Sequence, residues 1–172
     1  MGRRRERGSP TATLDPRRFS IAEYREYVLA RRQTGPGELA GCSPGEIEHL
    51  ARVQGVGRIP RLYREFLLAM GKNPRPLLSG VDWTYPDLLQ IKGEMTTDLT
   101  AAGIDTGFLD DTLLIGLGGG HYMFYIPNAS TAGDDPEVWT SSDGGDRERA
   151  YPTFREFLLA IADDDGRAVR LP

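Results

Sequence analysis

Tyr63-Arg64-Glu65-Phe66-Leu67-Leu68-Ala69 follows Ile59-Pro60 and stops short of Gly71, and it has two near copies, Tyr24-Arg25-Glu26-Tyr27-Val28-Leu29-Ala30 and Phe154-Arg155-Glu156-Phe157-Leu158-Leu159-Ala160. Each copy places aromatics at i and i+3 and aliphatics at i+4 and i+5, with Arg and Glu between them. That spacing predicts an amphipathic helix, one apolar stripe on a core and its charges in water. None of the three contains a catalytic group. Their unequal intervals exclude a solenoid, and the chain between the second and third copies has a different, strand-like character.

Working outward, Pro60 opens a helix with the stripe Leu62, Tyr63, Phe66, Leu67 and Met70, and Gly71 reads as its left-handed cap. Upstream, Ser43-Pro44-Gly45-Glu46 starts a helix that turns Ile47, Leu50 and Ala51 inward and stops near Gly55 or Gly57. Earlier still, the capping box Ser20-Ile21-Ala22-Glu23 starts a helix running to about Gln33, and Gly35-Pro36-Gly37 makes a linker. Downstream, a loop with Pro74, Pro76 and Gly80 reaches Trp83-Thr84-Tyr85. Pro86-Asp87 then begins one helix through Leu88, Ile91, Met95, Leu99 and Ala102 to Gly103. Thr112-Leu113-Leu114-Ile115-Gly116-Leu117 and His121-Tyr122-Met123-Phe124-Tyr125-Ile126, joined by glycines, predict a hairpin. Val138-Trp139-Thr140 predicts a third strand and Ala150-Tyr151 a short fourth. The last copy closes the chain and ends at Asp163-Asp164-Asp165-Gly166. Helices, then an antiparallel meander, then a helix specify an α+β fold, an antiparallel sheet flanked by N-terminal helices and a C-terminal helix.

A chain of 172 residues suits one domain with a proper core. Its parts read as a basic disordered leader over 1–19, an extra helix and linker over 20–38, the domain over 39–165 and a tail over 166–172, and a chain starting near Glu38 is expected to fold. No apolar run is long enough for a membrane span. The N-terminal arginines lack a following apolar segment, so the expectation is a cytoplasmic protein without a secretory signal. One cysteine, Cys42, and two histidines, His49 and His121, speak against disulfides and structural metal, and no cofactor is expected. Arg3, Arg4, Arg5, Arg7, Arg17 and Arg18 crowd the leader without aromatics on which bases would stack, while the body is acidic, so direct nucleic-acid binding is not expected.

Four pieces carry a family likeness: Ser43-Pro44-Gly45-Glu46-Ile47; Ile59-Pro60-Arg61-Leu62-Tyr63-Arg64-Glu65-Phe66-Leu67 ahead of a glycine; the strand pair followed by Asp134-Asp135-Pro136-Glu137-Val138-Trp139; and Tyr151-Pro152-Thr153-Phe154-Arg155-Glu156-Phe157-Leu158. Together, over residues 43–162, the chain resembles the SMI1/KNR4 family of the SUKH superfamily. It departs from the pattern at Ala51, where a Glu is frequent, and at Met70, where an Asn is. The resemblance implies a compact α+β domain without a shared catalytic set. For bacterial members it implies immunity proteins that neutralise polymorphic toxins, and for fungal members regulatory interaction proteins.

The residues themselves point the same way. Gly116-Leu117-Gly118-Gly119-Gly120 precedes a strand, so it reads as a hairpin turn rather than a phosphate loop. His121 has no partnering Ser or Cys motif to make it a catalytic base, so it is counted with the expected partner face, and a small enzyme using it and nearby carboxylates is the competing reading. The dipole of the helix after Cys42 favours a slightly lowered thiol pKa. Asp143-Gly144-Gly145-Asp146 lacks the alternating ligands and distal Glu of a calcium loop. Trp83, Tyr85 and Trp139 fit either a protein interface or the core. The carboxylates of residues 134–148, Asp134, Asp135, Asp143 and Asp146 among them, lie beside Trp139 and make the expected partner a protein with a basic surface, as a toxin acting on nucleic acid presents. The expected function is a non-enzymatic immunity protein, with a regulatory or scaffold protein lacking a toxin partner as the alternative.

Overall fold

The computed structural model describes residues 14–15, 17–32, 39–74, 77–78 and 80–163. Residues 1–13 of the basic leader, the linker glycines and the tail over 166–172 lie outside the described residues. In chain order the elements are α1 (Ile21–Arg32), α2 (Pro44–Val53), α3 (Arg61–Met70), β1 (Val81–Asp82), α4 (Tyr85–Leu88), α5 (Ile91–Ala101), a 3-10 turn (Gly107–Leu109), β2 (Leu113–Gly118), β3 (Tyr122–Ile126), β4 (Val138–Ser142), β5 (Arg147–Tyr151) and α6 (Phe154–Asp163). The strands form one antiparallel sheet in the order β1-β2-β3-β4-β5. The fold is α+β, as expected.

Local chemistry accounts for the boundaries. Both capping boxes form: Ser20 N–H donates to Glu23 Oε2 at 2.7 Å and Ser43 N–H to Glu46 Oε2 at 2.7 Å, with each serine hydroxyl accepting from the third helical amide. Gly119 and Gly120 both take positive φ, +58° and +80°, which turns β2 into β3 with the native strand twist. Asp143 and Gly144 do the same between β4 and β5, at +49° and +68°. This second hairpin makes β5 five residues long, where only Ala150-Tyr151 was expected.

The three near-copy helices meet one another on the sheet. Tyr63 and Phe66 of α3 pack against Phe154 of α6 at ring-centroid distances of 5.3 and 5.8 Å, and Phe157 reaches Phe124 of β3 at 5.6 Å. The first copy belongs to the same core: Tyr24 and Val28 are fully buried, Phe19 stacks on Tyr24, and the Tyr24 hydroxyl donates to Leu158 O at 2.8 Å. Phe19, expected at the end of a disordered leader, is instead buried, and the helix expected as an extra to the domain packs into its core. The apolar stripe of α1 faces α3, and its Tyr24 reaches α6.

Three further differences have clear causes. The helix expected from Pro86 to Gly103 is broken into α4 and α5 around Leu89 and Gln90. Gly71 is right-handed, φ −64°, and not a left-handed cap. Its missing side chain answers to packing, because a Cβ there would lie 2.8 Å from both Cys42 Sγ and Leu67 O. The two residues of β1 carry no strand signal of their own and are strand only through pairing with Gly118 and Leu117.

Candidate functional site

The eight residues expected at a partner face fall in five places. Trp83 is core, 4 % exposed and stacked on Phe66 at 5.5 Å, so it is unavailable as an interface anchor. Tyr85 is half-buried at the start of α4, its N–H donating to Gly71 O, near the ion pair of Lys72 Nζ and Glu46 Oε1 at 2.8 Å. Burial first, and the neighbouring Glu46 carboxylate second, push its phenol pKa up.

Asp134 and Asp135 precede β4 and are engaged internally. Asp134 O accepts from Leu62 N at 3.0 Å and its carboxylate meets Arg61 Nε at 3.0 Å, which fastens the loop to the start of α3. Asp135 accepts from Arg155 N at 3.1 Å and pairs with Arg155 Nη1 at 2.6 Å, while Arg155 Nε donates to Phe19 O at 2.9 Å. One partly buried carboxylate therefore joins the loop, the start of α6 and the entry to α1. Glu137 meets Arg149 Nη1 at 3.4 Å. The first half of the expected acidic face is thus neutralised by three arginines and acts as a latch. Trp139, half-buried on β4, lies across the ladder from Tyr125 and Arg149, and its indole N–H is shut off from water without an acceptor.

His121, Asp143 and Asp146 stand together at the other end of the sheet. Asp143 N–H donates to His121 O at 2.9 Å, tying the two hairpin turns, and His121 Nδ1 lies 3.0 Å from Gly119 O. Gly144 presses on the end of α5: a Cβ there would be 2.5 Å from Leu99 Cδ2. Between α5 and the glycine turn runs an open groove of about 570 Å³ lined by Gly93, Glu94, Thr97, Asp98, Leu117 and Gly120. Glu94, Asp98, Asp143 and Asp146 are exposed and, among the described residues, have no ion-pair partner. Among the described residues, no lysine or arginine lines the groove. Sequence reading missed Glu94 and Asp98 because on α5 they look like any solvated helix face. The only pointer was their spacing, four residues apart beside Gly93.

Two other clusters are accounted for by structure. Lys92 is half-buried and donates to Gln54 O at 2.5 Å and Thr112 O at 2.8 Å, bonds that hold α5 to α2 and β2, and desolvation lowers its pKa. Gln54 itself clamps Leu88 O, Leu114 O and Leu114 N, at 3.0, 2.9 and 2.7 Å. Cys42 overturns the expected lowering by the following helix: burial, with Glu46 adding to it, pushes its thiol up to about 11, far from a thiolate at neutral pH. Among the described residues no three His, Cys, Asp or Glu side chains group as metal ligands, and no helix is long and apolar enough to cross a membrane. No family model, curated protein or solved structure matches the chain.

Proposed function

We propose that this chain is a non-enzymatic protein-binding domain whose partner offers a basic surface, and that it acts in the cytoplasm as an immunity protein neutralising a toxin. The observation that carries the partner's chemistry is the groove beside the glycine turn, with Glu94 and Asp98 on its wall and Asp143 and Asp146 on the adjoining turn. Unpaired carboxylates of one sign on neighbouring elements attract a basic surface, speed encounter and weaken with salt. The basic-partner expectation is kept, and its place narrows from the carboxylates over 134–148 to Asp143 and Asp146, with Glu94 and Asp98 of α5 added. The toxin half of the reading rests on the family resemblance.

Gene deletion tests that half. An immunity gene is essential only while its toxin is present, so deletion should be lethal or growth-inhibiting in a host carrying a neighbouring secreted-toxin gene and harmless once that gene is removed. Equal effects in both backgrounds would favour the regulatory alternative. An unchanged phenotype for His121→Ala is expected as well, and loss of function with retained folding would reopen the enzymatic reading.

A further inference from the structure

β5 ends the sheet, and its only ladder among the described residues runs to β4. Arg147, Glu148 and Arg149 are exposed. The main-chain groups of residues 147–150 that point away from β4 are therefore a template for one more strand. Strand alternation puts Arg147 and Arg149 on one face, across the ladder from Ser141 and Trp139, and Glu148 on the other, across from Thr140.

This edge is ill-suited to a second copy of the chain. A two-fold axis relating two antiparallel edges sets residues of the same face opposite each other. Any register centred on Arg147, Glu148 or Arg149 then opposes Arg to Arg or an acid to an acid, and like charges directly opposite destabilise a strand pair. Both arginines keep donors for something else. Arg147 sits over the Phe108 ring, its Cζ 4.6 Å from the ring centre, and among the described residues makes no ion pair, while Arg149 uses a single nitrogen on Glu137 at 3.4 Å.

We propose that β5 accepts an extended segment of a protein partner as a sixth strand, with carboxylates at alternate positions meeting Arg147 and Arg149. Main-chain hydrogen bonds supply the affinity, and the two arginines on one face with Glu148 on the other select the sequence and its register. The edge begins at the residue after Asp146 but uses main-chain groups and arginines where the acidic face uses carboxylates, so the two readings are tested independently.

The test uses the full chain and two capped ten-residue peptides, one alternating Glu and Val and one alternating Lys and Val, followed by calorimetric titration and amide NMR. The Glu-Val peptide should shift and protect amides within residues 147–150 and bind at least about tenfold more tightly there than the Lys-Val peptide, as two cross-strand charge pairs changing from attraction to repulsion require. Replacing Arg147 and Arg149 by Glu should invert that order. Because that double variant also removes the Phe108 and Glu137 contacts, a second arm leaves the protein intact: two Glu-Val peptides N-methylated at odd or at even positions, of which one set should abolish binding and the other spare it. Equal binding of the Glu and Lys peptides, indifference to both N-methyl patterns, amide shifts centred on the groove beside Gly120, or a dimer through β5 in sedimentation would each overturn the proposal.

Discussion

Gly71, Cys42 and Glu46 meet where the chain enters α2 and leaves α3. A methyl group at position 71 would collide with Cys42 Sγ and with Leu67 O, the latter backbone that has no room to yield. Gly71→Ala should therefore destabilise by about 1 to 3 kcal/mol in denaturant melts, the usual range for overpacking. A neutral result would mean that Cys42 moves aside. With its pKa raised to about 11, the Cys42 thiol should react with a disulfide reagent at pH 8 only as fast as the protein unfolds. A rapid burst in native protein would contradict its burial. The Lys72 ammonium, with the Ser43 amide next, holds the Glu46 carboxyl below its ordinary value. A depressed native pKa contributes stability above the unfolded value of about 4.3 that disappears as pH falls through the native one. Wild type and Glu46→Gln should therefore differ in melting temperature at neutral pH and converge as pH falls below about 4.3 and through the depressed native value. A difference that persists at the acid end would show that Glu46 acts through packing instead.

At the scale of elements, Phe66 and Phe157 lie at the centres of the α3 and α6 stripes, each about 1 % exposed. Truncating either to Ala should cost about 3 to 5 kcal/mol, and a denaturant melt showing less than about 1 kcal/mol would mean its helix does not pack as described. For α1, a chain starting near Glu38 loses Phe19, Ile21, Tyr24 and Val28 from the core and should melt much lower, while Tyr24→Phe should lose about 1 kcal/mol with its bond to Leu158 O. An unaltered melt of the shortened chain would show that α1 adds nothing to the core, as the expectation of a fold starting near Glu38 had it. Helix phase was legible in α3 and α6, since aromatic and aliphatic spacing alone places Tyr63, Phe66, Phe154 and Phe157 inward, whereas Ala102, read onto the stripe of α5, is exposed. What α1 packs against was not legible, because Leu158 lies 134 residues away and nothing local reports such a contact. The break between α4 and α5 was hidden for a different reason: Leu89 and Gln90 are ordinary helix formers, without Gly or Pro to mark it. The length of β5 had a usable signal in Asp143-Gly144, the dipeptide of a tight hairpin turn.

For the whole molecule, the distribution of charge decides the functional reading, and it was only half legible. The sequence shows carboxylates crowded over residues 134–148, but charge counts say nothing about which are paired. In the fold Asp134, Asp135 and Glu137 are taken by Arg61, Arg155 and Arg149, two of those arginines distant in sequence, while Asp143 and Asp146 stay free and join Glu94 and Asp98 from α5. Trp83 was ambiguous until Phe66 was placed beneath it. A protein captured from the native host and identified by mass spectrometry gives the partner with which to test this most directly. The decisive measurement is its association rate with wild type and with a folded variant carrying Glu94→Gln, Asp98→Asn, Asp143→Asn and Asp146→Asn, at low and at physiological salt. A partner steered by this face should associate about tenfold more slowly with the variant at low salt and lose most of its salt dependence. The same rate and salt dependence for both proteins would remove the groove and its turn from the interface, and with them the claim of a basic partner.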